Sequence, residues 1–531
     1  MKKLNSFLFM AILLVASFAG KAQETRIVKV DGWDPASGED PAQYENLLYY
    51  AIMEDSTARK TNPNVIFELQ RDHIYFLGKQ IENYDFHLYI RGEEGEGLLP
   101  EIQGSAKSDG TYGLDYIHAY NDLTLENLAI NGYLPDGGNQ HWEVECRGNG
   151  STIRYKNVTF DGDRAAAVCA RADSLKIFIS DCTMGNMGYR TAFGGNGRMI
   201  DLRPEAQYLD TLVIENSTTY NLSDRIIRNM NTKINYLYID HLTAANTVGR
   251  HGGIQLGNCK NATVKNSLFA NVIMIGHCDA LTSEQTQPEN PPHFAVITLD
   301  TIYEGGSYVI ENNNIYWDNS VKGVWDQIDT VSMPDFVNPL IKSAVNADKV
   351  DDIYFSEPLD FATMCAPQIS YIALYYASPN AGTYPDSWCV GGDGGYFPDQ
   401  IDLSYSNTST SYTAATDGLP VGNLNYFPDV ASSANEYIAG KEASIKVFPN
   451  PFSDKVTMDY ELSANEKVEI SIFDITGKKI KSLVNQMQSA GSYSVSWDKT
   501  SDDGKISGQG LYIYRIKTSS WTKSGRLILV K

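Results

Sequence analysis

The chain has 531 residues, a formal net charge of −22 and 42% hydrophobic residues. That length suggests two to four domains, and so acidic a chain offers no broad basic surface for nucleic acid. Seven cysteines are too few and too scattered for a disulfide framework.

Met1, Lys2 and Lys3 form a basic tip ahead of an apolar run at 7–19, and Gly20 and Ala22 are small residues at the −3 and −1 places of a cleavage site. Residues 1–22 therefore read as a secretory signal peptide. The run is short for a membrane span, and no other stretch is long and apolar enough, so no transmembrane segment is expected after its removal. Asp40, Pro41 and Gln43 then start a helix. Tyr44, Leu47, Leu48, Ala51 and Ile52 follow at helical spacing. Strands are predicted at 65–69, 74–76 and 87–92.

From Leu123 onward a short motif repeats: LTLENLAI at 123–130, IRYKNVTF at 153–160, IFISDCTM at 177–184, LVIENS at 212–217, LYIDHL at 237–242, ATVKNSLF at 262–269 and YVIENNNI at 308–315. Its polar landmark is Asn127, Asn157, Asp181, Asn216, His241, Asn266 and Asn312, at steps of 30, 24, 35, 25, 25 and 46 residues. Such a period with strand-like alternation marks a solenoid. Asn tolerates the left-handed backbone of a sharp corner, and stacked Asn side chains can bond as a ladder. A second strand precedes each motif, ending at Arg147, Arg171, Arg203, Asn229 and Leu256. Two stacked sheets per turn, joined by long right-handed connections, close as a right-handed parallel β-helix. The N-terminal helix serves as the plug that its open end requires. Cys146, Cys169 and Cys182 fall in predicted strands and read as small buried hydrophobes. Cys365 and Cys389 flank an irregular region and are candidates for one disulfide.

The runs NVIFEL at 64–69, HLYIRG at 87–92 and PEIQG at 100–104, with the Asn-centred repeats, resemble the opening turns of pectate-lyase-like β-helix proteins. The resemblance covers residues 25 to 345. It implies the fold; that superfamily holds lyases, hydrolases, esterases, tail spikes and non-catalytic surface proteins, so it does not choose an activity.

The domain reading is a β-helix with its cap at 23–345, then a C-terminal cover and linker at 346–442. An acidic, glycine-rich loop at 386–399 is a candidate Ca²⁺ site. Residues 443–531 carry VFPNPF at 447–452, Gly477 with Lys478, Ala490 with Gly491, Trp497 with Asp498, and Gly510 with Tyr512. Short strands punctuated by turns predict a small immunoglobulin-like β-sandwich. This ordered set closely resembles the type IX secretion C-terminal sorting domain of Bacteroidota. It implies the type IX machinery as a partner, and a protein secreted or attached to the outer surface of the outer membrane.

Chemistry on a β-helix needs charged residues from adjacent turns, about one strand spacing apart. Arg147 and Arg171 each lie ten residues before their corner residue, and Arg225 and Arg250 each lie sixteen before theirs. Stacked arginines repel, so an anion or nearby carboxylates must hold them; Asp201, Asp224 and Glu215 are the candidates. Uronate β-elimination needs the substrate carboxylate neutralised, a base for the C5 proton and help for the leaving oxygen. Lyases of the resembled fold use Ca²⁺ held by carboxylates and a Lys or Arg base. On that pattern Arg225, Arg250 and His251 are the catalytic candidates, Arg147, Arg171, Arg203 and Arg228 bind substrate, and Asp201 is a metal ligand or an orienter. The segment 185–198 is the expected wall of the groove. Polygalacturonases of this fold carry an Asp-Asp pair and Gly-His-Gly, whereas here His251 sits between Arg250 and Gly252, and the Asp-Asp pairs at 351–352 and 502–503 fall outside the repeats. The reading is a secreted or cell-surface monomer acting on an acidic extracellular polysaccharide, as a lyase if catalytic. The alternative is a non-catalytic adhesin or glycan-binding protein.

Overall fold

The computed structural model describes residues 25–106, 110–113, 115–134, 138–188, 196–249, 252–278, 295–328, 331–345, 354–364, 401–428, a few isolated positions between 365 and 430, and, with short breaks, 446–529. Residues 1–22, Cys365, Cys389, the loop at 386–399 and the linker at 431–441 lie outside the described residues. The chain forms two compact units, one ending at Asn423 and the other beginning at Leu424.

The first unit is a parallel β-helix. In its first sheet, Leu123, Ile153, Ile177, Leu212, Leu237, Ala262 and Tyr308 pair in succession. The sequence steps are therefore the strand register itself. Two places further on, Ile90, Leu125, Tyr155, Ile179, Ile214, Ile239, Val264 and Ile310 form a stacked column, none more than 4% exposed. Burial of each such aliphatic side chain is worth about 1.5–3 kcal/mol, which is why a one-residue slip of register is not tolerated.

Each repeat motif then bends at its polar landmark. Asn127, Asn157, Asp181, Asn216, His241, Asn266 and Asn312 all have φ between 45° and 56°. Beyond the bend the chain enters a second sheet, in which Thr159, Thr183, Thr218, Thr243 and Leu268 pair in turn. A ladder at the first corner joins Asn157 Nδ2 to Asn127 Oδ1 at 3.0 Å and Asn216 Nδ2 to Asp181 Oδ1 at 2.5 Å. A second ladder closes the far end of this sheet: Asn221 donates to Asn186 at 2.9 Å, and Asn271 donates to Asn246 at 3.1 Å. Asn186, Asn221, Asn246 and Asn271 are buried and also left-handed, with φ of 52–56°.

The strands that precede each motif form a third sheet, comprising Ile81–Glu82, Asp115–Ala119, Trp142–Cys146, Ala166–Ala170, Arg198–Leu202, Ile227–Asn229, Ile254–Gln255, Ala295–Thr298 and Asp335–Val337. Each turn thus has three sheets where the sequence pattern suggested two, because the corner residue divides one motif between two sheets. Cys146, Cys169 and Cys182 are free thiols buried in the solenoid.

The N-terminal plug is not one helix. Asp40 caps a short 3₁₀ turn, Pro41–Tyr44, and accepts from Ala42 N at 3.0 Å. Asn46 then turns left-handed, with φ 62°, because its side-chain oxygen takes the amides of Gly78 and Lys79 at 2.9 Å each. The helices Leu47–Glu54 and Ser56–Thr61 follow, and Leu48 and Ile52 seal the core. Residues 401–423 lie along the first corner, where Asn312 donates to Ala414 O at 2.7 Å and Asn423 donates to Thr218 Oγ1 at 2.8 Å.

The second unit is an antiparallel sandwich. Lys446–Phe448, Val456–Leu462 and Gly491–Trp497 form one sheet; Lys479–Gln488, Glu466–Asp474, Gly510–Lys517 and Thr522–Leu529 form the other. Trp497 is fully buried between them and donates its indole N–H to Thr500 O at 2.9 Å. Among the described residues, no helix is long and apolar enough to cross a membrane.

Candidate functional site

The third sheet gathers the charged residues. Its aliphatic column, Ile117, Val144, Val168, Ile200 and Ile227, is fully buried. The next register place holds His118, Glu145, Cys169, Asp201 and Arg228 on successive turns. Just past the strand ends, the pairing of Cys146, Ala170 and Leu202 sets Arg147, Arg171 and Arg203 side by side.

Carboxylates between the turns hold these arginines. Glu145, with no exposed side chain, accepts from Arg147 Nε at 2.5 Å and Arg171 Nε at 2.9 Å. Arg171 also reaches Glu205 at 2.6 Å, and its guanidinium lies 4.7 Å from the centre of the Trp142 ring. Asp201 receives Arg228 on both oxygens, at 2.6 and 2.7 Å, with Arg198 at 3.5 Å and Arg203 at 3.6 Å. Asp224 accepts from Arg198 Nε at 2.7 Å and Arg225 Nε at 3.0 Å. Burial alone would raise Asp201, but the charges of Arg198 and Arg228 outweigh it and hold the carboxyl below its ordinary value.

Asp201 is therefore surrounded by guanidinium groups. A Ca²⁺ ion seeks six to eight oxygen ligands, and Asp201 offers none that an arginine does not already face, so the metal role expected for it does not fit. Among the described residues, Asp115, His118 and Glu145 form a group of metal-ligand type, with one ligand atom of each within 4.8 Å of the others. His118 Nε2 is 2.9 Å from Asp115 Oδ2 and 3.4 Å from Glu145 Oε2, distances of direct hydrogen-bond contact that need no ion between them. Two guanidiniums already neutralise Glu145, which disfavours a further cation beside it.

Four arginines, Arg198, Arg203, Arg225 and Arg228, share the two carboxylates Asp201 and Asp224. Buried donors remain to spare: Arg225 Nη1, Arg203 Nε and Trp142 Nε1 have no partner among the described residues. Arg225 is only 3% exposed, and burial, with help from Arg198 and Arg228, pushes its guanidinium down to about 10. Beside Trp142, His141 is pushed down to about 4 by burial and then by Arg164, so it is neutral at physiological pH.

Asp201 and Arg228 thus lie in the third sheet and Arg147, Arg171, Arg203 and Arg225 flank its strands, while Arg250 and His251 lie outside the described residues. Glu215 belongs elsewhere: it ends a strand of the first sheet and pairs with Asp240. The expected wall at 185–198 also changes, because Thr183–Met187 is a strand of the second sheet and Arg198 opens one of the third, while 189–195 lie outside the described residues. Sequence reasoning passed over Arg198, Glu145, Trp142 and His118 as site residues. Arg198 stands one turn before Arg225 in register, a signal hidden by the unequal length of that turn.

Residues 446–531 match the family "Secretion system C-terminal sorting domain". No curated protein matches the chain. Among solved structures, dimeric latent PorU from Porphyromonas gingivalis is 26% identical over 16% of this chain and 9% of its own, with a TM-score of 0.15. PorZ, a surface component of the type-IX secretion system of the same organism, is 23% identical over 18% of this chain and 12% of its own, with a TM-score of 0.14. The Dettilon tailspike protein is 11% identical over 55% of this chain and 62% of its own, with a TM-score of 0.27. The chain spans about a tenth of the first two proteins. The sorting domain marks this β-helix protein for export by the type IX secretion system, to be secreted or attached at the cell surface.

Proposed function

We propose that the third-sheet face binds an acidic extracellular polysaccharide and cleaves it by β-elimination. The observation that carries this reading is the cationic excess: among the described residues, four guanidiniums share two carboxylates, with buried donors left over, in a chain of net charge −22. Holding like charges together costs energy unless an anion completes the set. Arg147, Arg171 and Arg203, one per turn, suit carboxylates repeating along a polymer, and the planar fork of arginine suits each carboxylate.

In the elimination, a base removes the proton at C5 of a uronate, the C4–O bond breaks, a C4–C5 double bond forms, and the leaving oxygen takes a proton. We assign the base to Arg225, which Asp224 fixes at 3.0 Å in the middle of the cluster and whose proton burial makes easier to lose. Asp201 and Asp224 orient the cluster. The second reading, a binder without chemistry, draws on the burial of Arg225 and its pairing with Asp224.

The test is incubation with a panel of uronate polysaccharides, following the ultraviolet absorbance of the unsaturated product, with binding measured in parallel. A lyase gives product that Arg225→Ala abolishes while binding survives, since a base acts mainly in the transition state. A binder gives no product, with affinity that falls in Arg171→Ala and in high salt. Absence of both binding and product with every acidic glycan refutes the proposal.

A further inference from the structure

The arginine row continues toward the N-terminus as tyrosines. Ile81, Ile117 and Val144 pair in the third sheet, so Tyr84, Tyr120 and Arg147 hold equivalent places, each three residues later. Arg171 and Arg203 extend the row. With strands about 4.8 Å apart, these five residues span about 19 Å along the solenoid. The rings of Tyr84 and Tyr120 stack, with centroids 4.3 Å apart and planes 23° from parallel.

Two features point to a ligand and not to packing. Tyr84 is 60% exposed, the most open tyrosine among the large exposed hydrophobic side chains of the described residues. Yet it is held firmly in place. Asn83 beside it is fully buried, donates to Phe86 O at 3.1 Å and Asp122 O at 2.9 Å, and accepts from Tyr120 N at 2.9 Å. The Tyr84 hydroxyl donates to Glu82 at 2.9 Å. A rigid, open aromatic face loses little entropy on binding, and the C–H face of a pyranose is the apolar surface it fits. The nearby Glu82 carboxylate repels an acid at that place.

We propose that Tyr84, backed by Tyr120, is a sugar-stacking subsite at the N-terminal end of the arginine row. The ligand is then a linear polysaccharide lying along the solenoid, its uronate carboxylates over Arg147, Arg171 and Arg203, and a ring face turned away from its charge resting on Tyr84. One pyranose unit is close in length to one strand spacing, so a trimer covers the arginines and a hexamer reaches the tyrosines. This rests on the acidic-polysaccharide reading above.

The experiment is calorimetric titration of the full chain with trimers and hexamers of oligogalacturonate and of oligoalginate, for the wild type, Tyr84→Ala and Tyr84→Phe. Since Tyr84 is exposed, neither variant disturbs the core, which circular dichroism checks. The wild type is expected to bind one hexamer roughly tenfold more tightly than its trimer, the size of a single stacking contact. Tyr84→Ala is expected to remove that advantage and leave trimer affinity unchanged, while Tyr84→Phe keeps it. Trimer binding with no length advantage, or a hexamer advantage that survives Tyr84→Ala, overturns the tyrosine subsite alone. Failure of the wild type to bind any of the four oligomers overturns the acidic-polysaccharide reading and the subsite with it.

Discussion

His241 Nε2 lies 3.1 Å from Asp417 Oδ2, a pair 176 residues apart in the chain. His241 stands in the corner column otherwise held by Asn and Asp, with φ 53°. Its other ring nitrogen is 2.9 Å from Gly422 O, so one imidazole fastens the segment at 401–423 to the solenoid. Burial pulls its proton affinity down, but the bond to Asp417 and the charges of Asp240 and Asp417 outweigh this, and the net direction is up. Asp417 moves the other way: burial raises it, and His241 more than offsets that.

The contact should therefore depend on pH from both sides. The His241 contribution is complete below its unfolded value and is lost as pH rises through its raised folded value. The Asp417 contribution is complete above its unfolded value and is lost as pH falls through its lowered folded value. Asp417 is 45% exposed in its side chain, so the pair should contribute less than about 1 kcal/mol. Protection of the amides across 411–423, taken relative to the intrinsic base-catalysed exchange rate, should fall as pH rises past neutral in the wild type. In His241→Asn, which keeps the left-handed corner, that protection should not change over the interval.

The buried ladders should be costly to interrupt. Asn246 is 1% exposed, has φ 55°, and accepts from Asn271 at 3.1 Å. Asn246→Val forces a β-branched residue into the left-handed region and leaves the Asn271 amide short of a partner, together costing roughly 2–5 kcal/mol. Asn157→Val at the outer corner should cost about 1–3 kcal/mol. Lys156→Val removes only an exposed pair with Glu126 and should stay near neutral. Urea denaturation of the three variants, giving this order, is the check.

Glu143 and Asp163 are fully buried neighbours, linked by the Glu143 amide donating to Asp163 at 3.0 Å. Burial, and after it the charge of Asp163, pushes Glu143 well above the ordinary carboxyl range, and neither of its side-chain oxygens has a partner among the described residues. A raised folded value means that its contribution is complete below the unfolded value and is lost as pH rises through the folded one. Glu143→Gln should therefore raise the melting temperature at pH 8 and do little at pH 4. A variant less stable than wild type at pH 8 would show that the carboxylate is needed as a charge.

Export should depend on the sandwich core. Trp497 packs against Phe452 and Tyr512, with centroids at 5.6 and 4.9 Å. Trp497→Ala should cost about 3–5 kcal/mol, a large part of the stability of so small a domain. Fractionation of cells should then find protein retained in the periplasm, as it should on removal of 446–531. Normal amounts outside the cell would show that the sorting signal does not require the folded sandwich.

The repeat was legible in the sequence because a parallel stack forces the same demand on every turn. Ile153 must meet Leu123 and Ile177, and the corner between them must accept a left-handed backbone, so aliphatic spacing and Asn recur in print. The second ladder went unread, although its signal was present: Asn186, Asn221, Asn246 and Asn271 each follow a corner residue by five places. The arginine columns followed from the same period. Only the tertiary structure decided which charges meet. Turns of unequal length place Arg198 beside Asp224, 26 residues away, and turn Asp201 toward three arginines. The fastening of Asp417 to His241 had no local signature at all, because a contact across 176 residues depends on where a folded strap comes to rest.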